Sequence, residues 1–249
     1  MTEPILKVRN LQAKYGNKII LKDISFDVMK NEIFVILGGS GCGKSTLLKN
    51  LIRLYKPSKG QVLFQNQNIA TIDSDNLEFY YSKIGVLFQN GALLNSFTIF
   101  ENVAIPLYIH TNLPYEIIKK IVLKKLELVD ILHAAELLPS QLSGGMQKRA
   151  ALARAIILDP DILFCDEPSA GLDPITAESL DQLFIKLKTQ LNMTLIIVTH
   201  ELASIKRIAD HILFLDKGNA IFYGTMDEAL NSNVTFVKNF FSKGMGVYF

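Results

Sequence analysis

Residues 38–45 read Gly38-Gly39-Ser40-Gly41-Cys42-Gly43-Lys44-Ser45. This octet meets every specified position of the phosphate-cradling pattern G-x-x-x-x-G-K-[ST]. An apolar run at 33–37 leads into it. A stretch beginning near Lys44, with Leu47, Leu48, Leu51 and Ile52 at helical spacing, leads out. Strand, glycine turn and helix are the context the pattern needs. Glycines let successive backbone N–H groups point inward at phosphate oxygens, and the helix N-terminus adds a positive dipole end. Lys44 has the reach for β- and γ-phosphates, and the Ser45 hydroxyl can ligate Mg²⁺. The stretch implies a nucleoside-triphosphate site on an α/β frame.

Composition narrows what surrounds that site. A chain of 249 residues can hold one large core, or a core with a smaller inserted subdomain. Apolar residues make up 49% and charged residues 20%, the balance of an ordinary folded chain. The net charge of +2 comes from scattered Lys and Arg residues, with no basic arm for nucleic acid. Cys42 and Cys165 fit neither metal-ligand spacing nor a secreted disulfide framework, so a reducing cytoplasm is the expected home. Residues 1–10 lack the apolar core of a signal peptide. Mean hydropathy is +0.24, yet no uncharged apolar stretch of about 18 residues occurs. Any membrane-spanning part must come from another chain.

Outward from the octet, short strands are expected at 5–11, 19–21, 24–29, 61–64 and 84–88, with a polar helical segment around 74–80. From 91 to about 159 the pattern turns helical. Pro114 opens a stretch whose residues Ile118, Ile121, Val122, Leu126 and Val129 share one face, and an Ala- and Arg-rich helix follows Ser143. Strands and helices then alternate at 162–165, 177–191, 195–199, 202–208 and 212–215, which predicts a parallel sheet with right-handed crossovers. A last strand at 220–223 and short helices at 226–230 and 236–242 complete the chain. The expected organisation is one domain over 1–249, with a nucleotide-binding core from 1–90 and 160–249 and a helical subdomain at 91–159.

Further constellations bear on chemistry. Asp166-Glu167 ends an apolar run, where open α/β sheets bind ligands. Asp166 is positioned to hold Mg²⁺, and Glu167 to orient and deprotonate an attacking water. Leu142-Ser143-Gly144-Gly145-Met146 opens the Arg-rich helix, with Ser143 as N-cap and glycine N–H groups as a second anion site. Gln89 and His200 each follow a strand, within reach of Mg²⁺, the γ-phosphate or its water; alone, either is an ordinary strand-end residue.

Together these motifs make the chain resemble the ATP-binding-cassette (ABC) transporter ATPases over nearly its whole length. The octet, Gln89, the Leu142 to Met146 motif, Asp166-Glu167, the loop Ser169-Ala170-Gly171-Leu172-Asp173 and His200 stand in that family's order and spacing. The resemblance implies an α/β P-loop NTPase (RecA-like) core with a mainly parallel sheet, an N-terminal antiparallel β subdomain and a helical insertion. It implies that ATP is held by Tyr15 and by Gly38, Gly39, Ser40, Gly41, Cys42, Gly43, Lys44, Ser45 and Thr46. Tyr15 would stack on adenine; the plain alternative is a packing tyrosine. Mg²⁺ would be held by Ser45, Gln89 and Asp166, and Glu167, His200, Gln89 and Lys44 would carry catalysis. A head-to-tail homodimer would bring Ser143, Gly144, Gly145 and Asp173 of one copy to the γ-phosphate of the other. The family motif commonly ends in Gln. Met146 stands there and cannot complete a capping box, so an altered helix start is expected rather than lost catalysis.

The Gln-Asn-Gly-Ala-Leu stretch from Gln89, the Met in Leu-Ser-Gly-Gly-Met and Gly171-Leu172-Asp173-Pro174-Ile175-Thr176 resemble one subgroup, the ATPases of Mla-type (MCE-associated) phospholipid transporters. That resemblance implies a permease partner, an MCE-domain lipid-binding protein, a small STAS-type subunit, and a place on the cytoplasmic face of the bacterial inner membrane. Leu93, Leu94, Phe97 and Ile99 would line the groove for the permease, or else fold into the core. The alternatives are another bacterial ABC ATPase, for amino-acid import, lipoprotein release or cell division, and a soluble ABC ATPase acting on DNA or ribosomes. Cys42, in the loop beside a helix N-terminus, is expected either to favour its thiolate and be protected by ATP, or to be simply a small residue that the loop tolerates.

Overall fold

Two sheets organise residues 3–243, the part of the chain described by the computed structural model. The first is antiparallel and joins β1 (Pro4–Tyr15), β2 (Lys18–Met29), β4 (Lys59–Phe64) and β5 (Gln67–Asn68) in the order β2-β1-β4-β5. The second contains β3 (Ile33–Gly38), β6 (Ile84–Leu87), β7 (Ile162–Asp166), β8 (Thr194–Val198), β9 (His211–Asp216) and β10 (Asn219–Thr225), in the order β10-β9-β3-β8-β7-β6. Its strands pair in parallel except for the antiparallel edge β10. The α/β architecture expected from the sequence is present, with its antiparallel N-terminal sheet and a mainly parallel second sheet.

The helices are α1 (Lys44–Leu51), α2 (Ser74–Ser82), α3 (Ile99–His110), α4 (Tyr115–Leu128), α5 (Gly144–Ala155), α6 (Pro174–Leu191), α7 (Leu202–Ile208), α8 (Met226–Leu230) and α9 (Thr235–Lys243). Strand β3 shows why the chain layers this way. All its residues are buried, and alternate side chains enter opposite cores. Phe34 and Ile36 join the cluster under α1 and the antiparallel sheet, where Phe34 stacks on Phe26 with ring centroids 5.1 Å apart. Ile33, Val35 and Leu37 join the cluster built with α3 to α6. Each such side chain contributes about 1.5–3 kcal/mol on burial, so a strand apolar on both faces is stable only between two covering layers.

Two elements differ from the sequence-based expectation. The segments 19–21 and 24–29 are one strand. Lys22 and Asp23 form a bulge, with Asp23 at φ 52° and its carboxylate accepting from Asn10 Nδ2 at 2.7 Å. Helix α3 lies within the stretch expected to be helical, but no separate helix over 99–110 is read from the sequence. Its start carries a capping box: Glu101 N–H donates to Thr98 Oγ1, and Thr98 N–H donates to Glu101 Oε2 at 2.7 Å. Ile99 is fully buried in α3, so it serves the core and not a permease groove; Leu94 and Phe97 are exposed. Among the described residues no helix is long and apolar enough to cross a membrane. Residues 244–249 of the tail lie outside the described residues.

Candidate functional site

Strand β3 delivers the octet to the C-terminal edge of the parallel sheet. Gly38 closes the strand, and a Cβ there would stand 2.2 Å from the Leu215 carbonyl oxygen of β9. Gly43 turns the chain into α1 at φ 113°, and a Cβ would press to 2.6 Å from Leu21. Because Gly43 is the N-cap and has no side chain, nothing caps the first turn of α1, and its amides stay available to an anion. Lys44 Nζ donates to the carbonyls of Gly38 (2.8 Å) and Gly39 (3.2 Å), which folds the ammonium over the loop. The cleft above has a volume of about 720 Å³. Residues 38–41, Lys44 and Ser45 line it together with Gln89, Glu167 and His200.

Cys42 overturns one expectation. Its thiol is only 5% exposed, packed so close that a Cβ on Gly38 would meet Sγ at 2.7 Å. Burial pushes the thiol up, outweighing the nearby Lys44 charge and the helix start. The side chain therefore favours the neutral thiol.

Asp166 and Glu167 end β7. Glu167 adopts a left-handed φ of 45°, rare for a non-glycine residue, and its N–H donates to the Val198 carbonyl of β8 at 2.8 Å. That turn aims the carboxylate across the sheet edge. Glu167 Oε1 lies 2.9 Å from His200 Nδ1, while Oε2 is buried with no hydrogen-bond partner among the described residues. Asp166 is half-buried. Burial raises its carboxyl and the neighbouring Glu167 charge adds to the effect, while Lys49 and Lys44 oppose it.

The remaining candidates lie elsewhere. Ser143 N-caps α5, accepting from Met146 N–H at 3.3 Å, and Met146 packs against the core with no return bond to Ser143. Ser143 and Gly144 are exposed and lie outside the lining of the loop cleft. Asp173 is likewise exposed and N-caps α6. The Thr176 hydroxyl donates to it at 2.5 Å, and the Thr176 and Ile175 amides donate at 3.0 and 3.1 Å. These bonds, the hydroxyl's foremost, hold its carboxyl below the usual range. Tyr15 is 79% exposed at the tip of the β1–β2 hairpin, which rules out a packing role.

One residue at the site escaped the sequence. Lys148 of α5 is buried, and its ammonium donates to the backbone carbonyl of Gln89. Burial drives its pKa down. A lysine in an Ala-rich helix carries no mark of such a contact, which arises only when α5 packs beside the end of β6.

The profile of the ABC transporter family matches residues 21–170. The chain is 41% identical over 93% of its length, and 88% of the relative's, to the intermembrane phospholipid transport system ATP-binding protein MlaF of Haemophilus influenzae. It is 37% identical over 94% of its length, and 68% of the relative's, to the probable ribonucleotide transport ATP-binding protein mkl of Mycobacterium leprae. Among solved structures it resembles the ATP-binding cassette MJ0796 in a dimeric, post-hydrolysis state with ADP and Pi. The TM-score is 0.80 at 32% identity, covering 89% of this chain and 98% of that one. With the octet, Gln89, Glu167 and His200 converging on one cleft, and with a family match over most of its length, the chain belongs to the ABC transporter family.

Proposed function

We propose that this chain is the ATP-binding and ATP-hydrolysing subunit of a membrane ABC transporter that moves phospholipid between inner and outer membranes and maintains outer-membrane lipid asymmetry. The observation that carries the ATPase part is the meeting of the 38–45 loop with Gln89, Glu167 and His200 around one cleft. The similarity to MlaF supports the phospholipid part.

The residues divide the chemistry. Lys44 exchanges its loop carbonyls for β- and γ-phosphate oxygens, and the uncapped amides of α1 cradle the same charge. Glu167 orients a water in line with the γ-phosphorus and takes its proton as the new P–O bond forms and the bond to ADP breaks. His200 holds Glu167 Oε1 and so fixes the carboxylate that takes that proton. Ser45, Gln89 and Asp166 offer hydroxyl, amide and carboxylate oxygens, the donor set that suits Mg²⁺. Mg²⁺, when bound, draws charge from the phosphate oxygens.

A second copy completes the site by presenting its exposed Ser143 and Gly144 and its half-buried Gly145, with Asp173 at the junction, which is consistent with the dimeric MJ0796 cassette. Tyr15 stacks on the adenine from the hairpin tip. The exposed Leu94 and Phe97 offer apolar surface to a permease that holds this chain at the cytoplasmic face of the inner membrane, in a complex with an MCE-domain lipid-binding protein and a small STAS-type subunit.

The test is isolation of the tagged full chain from its native membrane, followed by ATPase and vesicle-to-vesicle phospholipid transfer assays. Recovery of a permease with an MCE-domain protein, and ATP-dependent transfer, are expected. A permease recovered with an amino-acid receptor would overturn the phospholipid assignment alone. Nucleic-acid- or ribosome-stimulated ATPase without a permease would overturn the transporter assignment.

A further inference from the structure

The segment 89–92 leaves β6 in an unusual shape. Gly91 and Ala92 are both left-handed, at φ 68° and 51°, a costly conformation for alanine. Two side chains of α5 hold it there. Arg154 donates to the Gly91 carbonyl at 2.7 Å and to the Ala92 carbonyl at 2.8 Å, and Lys148 donates to the Gln89 carbonyl. Between them Ala151 lies so close that a Cβ on Gly91 would stand 3.2 Å from its methyl group. Residues 148, 151 and 154 thus form a stripe at i, i+3, i+6 that follows the segment.

Lys148 is the member of this clasp that touches Gln89. Its side chain is largely buried, borders a cavity and forms no ion pair among the described residues. An ammonium so desolvated, with the Gln89 carbonyl as its one acceptor among the described residues, costs stability relative to an apolar residue of the same volume. Gln89 faces two cavities. Besides lining the triphosphate cleft, it lines a second cavity of about 250 Å³ shared with Gly144, Lys148 and Gly171.

We propose that Lys148 is a positioning residue that holds Gln89 at the triphosphate cleft. This rests on the ATPase assignment above for Gln89, but the clasp itself is a property of the ligand-free chain. A polar partner behind a liganding residue fixes that residue's orientation, and its loss lowers metal affinity or activity without removing the ligand.

The experiment compares the full wild-type chain with Lys148→Met and Lys148→Arg. It reads hydrogen exchange over residues 88–94 without nucleotide, Mg²⁺-dependent binding of a non-hydrolysable fluorescent ATP analogue, and kcat and KM for ATP. Lys148→Met is expected to speed exchange at 89–92, and to raise the Mg²⁺ needed for analogue binding and lower kcat by about tenfold each, with the ATP KM little changed. Lys148→Arg, which restores a cationic donor, is expected to recover all three. Unchanged exchange and Mg²⁺ dependence in Lys148→Met, or an Arg variant as impaired as the Met variant, would overturn the proposal. Should the Met variant not fold, Lys148→Leu, which likewise removes the donor, is read with the same two outcomes. If the wild-type chain neither binds nor hydrolyses ATP, the ATPase assignment fails by itself, and the exchange measurement still decides the clasp.

Discussion

His200 Nδ1 and Glu167 Oε1 meet at 2.9 Å at the triphosphate cleft, and the second Glu167 oxygen is buried with no hydrogen-bond partner among the described residues. His200 is mostly exposed whereas the Glu167 side chain is 14% exposed, so the histidine reaches in to hold a carboxylate already set by the backbone. The left-handed turn at Glu167 costs about 1–2 kcal/mol and is maintained by its N–H bond to Val198.

Glu167→Gln should keep the side-chain volume and the bond to His200 while removing the base. ATP binding is expected to survive and hydrolysis to slow by about a hundredfold or more, leaving an ATP-bound dimer. Single-turnover hydrolysis beside size-exclusion chromatography with ATP checks both points; near-normal turnover would remove Glu167 from the base role. His200→Ala should lower kcat by up to about a hundredfold with ATP KM little changed, because it misorients the base without removing it.

Lys44→Ala should act earlier in the cycle. The ammonium folded onto the Gly38 and Gly39 carbonyls is the charge nearest the expected triphosphate. Its loss is expected to weaken ATP binding, or to cut turnover by about a hundredfold or more, in a fluorescence titration paired with an ATPase assay. A normal titration with normal activity would contradict the assignment.

Cys42 should resist thiol reagents. With its thiol pushed up by burial, alkylation at pH 8 should run slower than for an unstructured cysteine, and should accelerate only at pH values above the ordinary thiol range. Mass spectrometry of a timed N-ethylmaleimide reaction measures this. Rapid Cys42 labelling that ATP suppresses would restore the thiolate expectation.

Glu32 should make stability depend on pH. It is 6% exposed, accepts from Met29 N–H at 2.7 Å and lies 2.7 Å from His211 Nδ1. Burial raises its carboxyl, outweighing the hydrogen bond from Met29 and the His211 charge. A carboxyl raised in the folded state contributes stability that is complete below its unfolded pKa of about 4.3 and is lost as pH rises through the folded value. Urea melts of wild type and Glu32→Gln should therefore show wild type gaining on the variant as pH falls from 7 to 4. A constant difference would refute this.

The sequence by itself determined the frame and most of the candidate site. The octet could be recognised because phosphate binding needs glycines, Lys44 and Ser45 at fixed offsets, and the parallel strands because continuous apolar runs such as 33–37 suit only a doubly covered sheet. Ser143 as N-cap followed from local chemistry alone. Helix α3 was legible too, in Thr98 and Glu101 three residues apart, but its mean apolarity obscured the helical period. Tertiary structure alone decided the rest. Asp23 became a bulge within one strand because Asn10 across the sheet hydrogen-bonds it. The Cys42 thiol was pushed up because it packs inward at the base of the loop, where desolvation outweighs the helix start. Lys148 acquired its place at Gln89 because α5 lies against the end of β6, 59 residues away in the chain. Local chemistry can be read from spacing along the chain. Desolvation and the pairing of distant polar groups depend on what folding brings alongside.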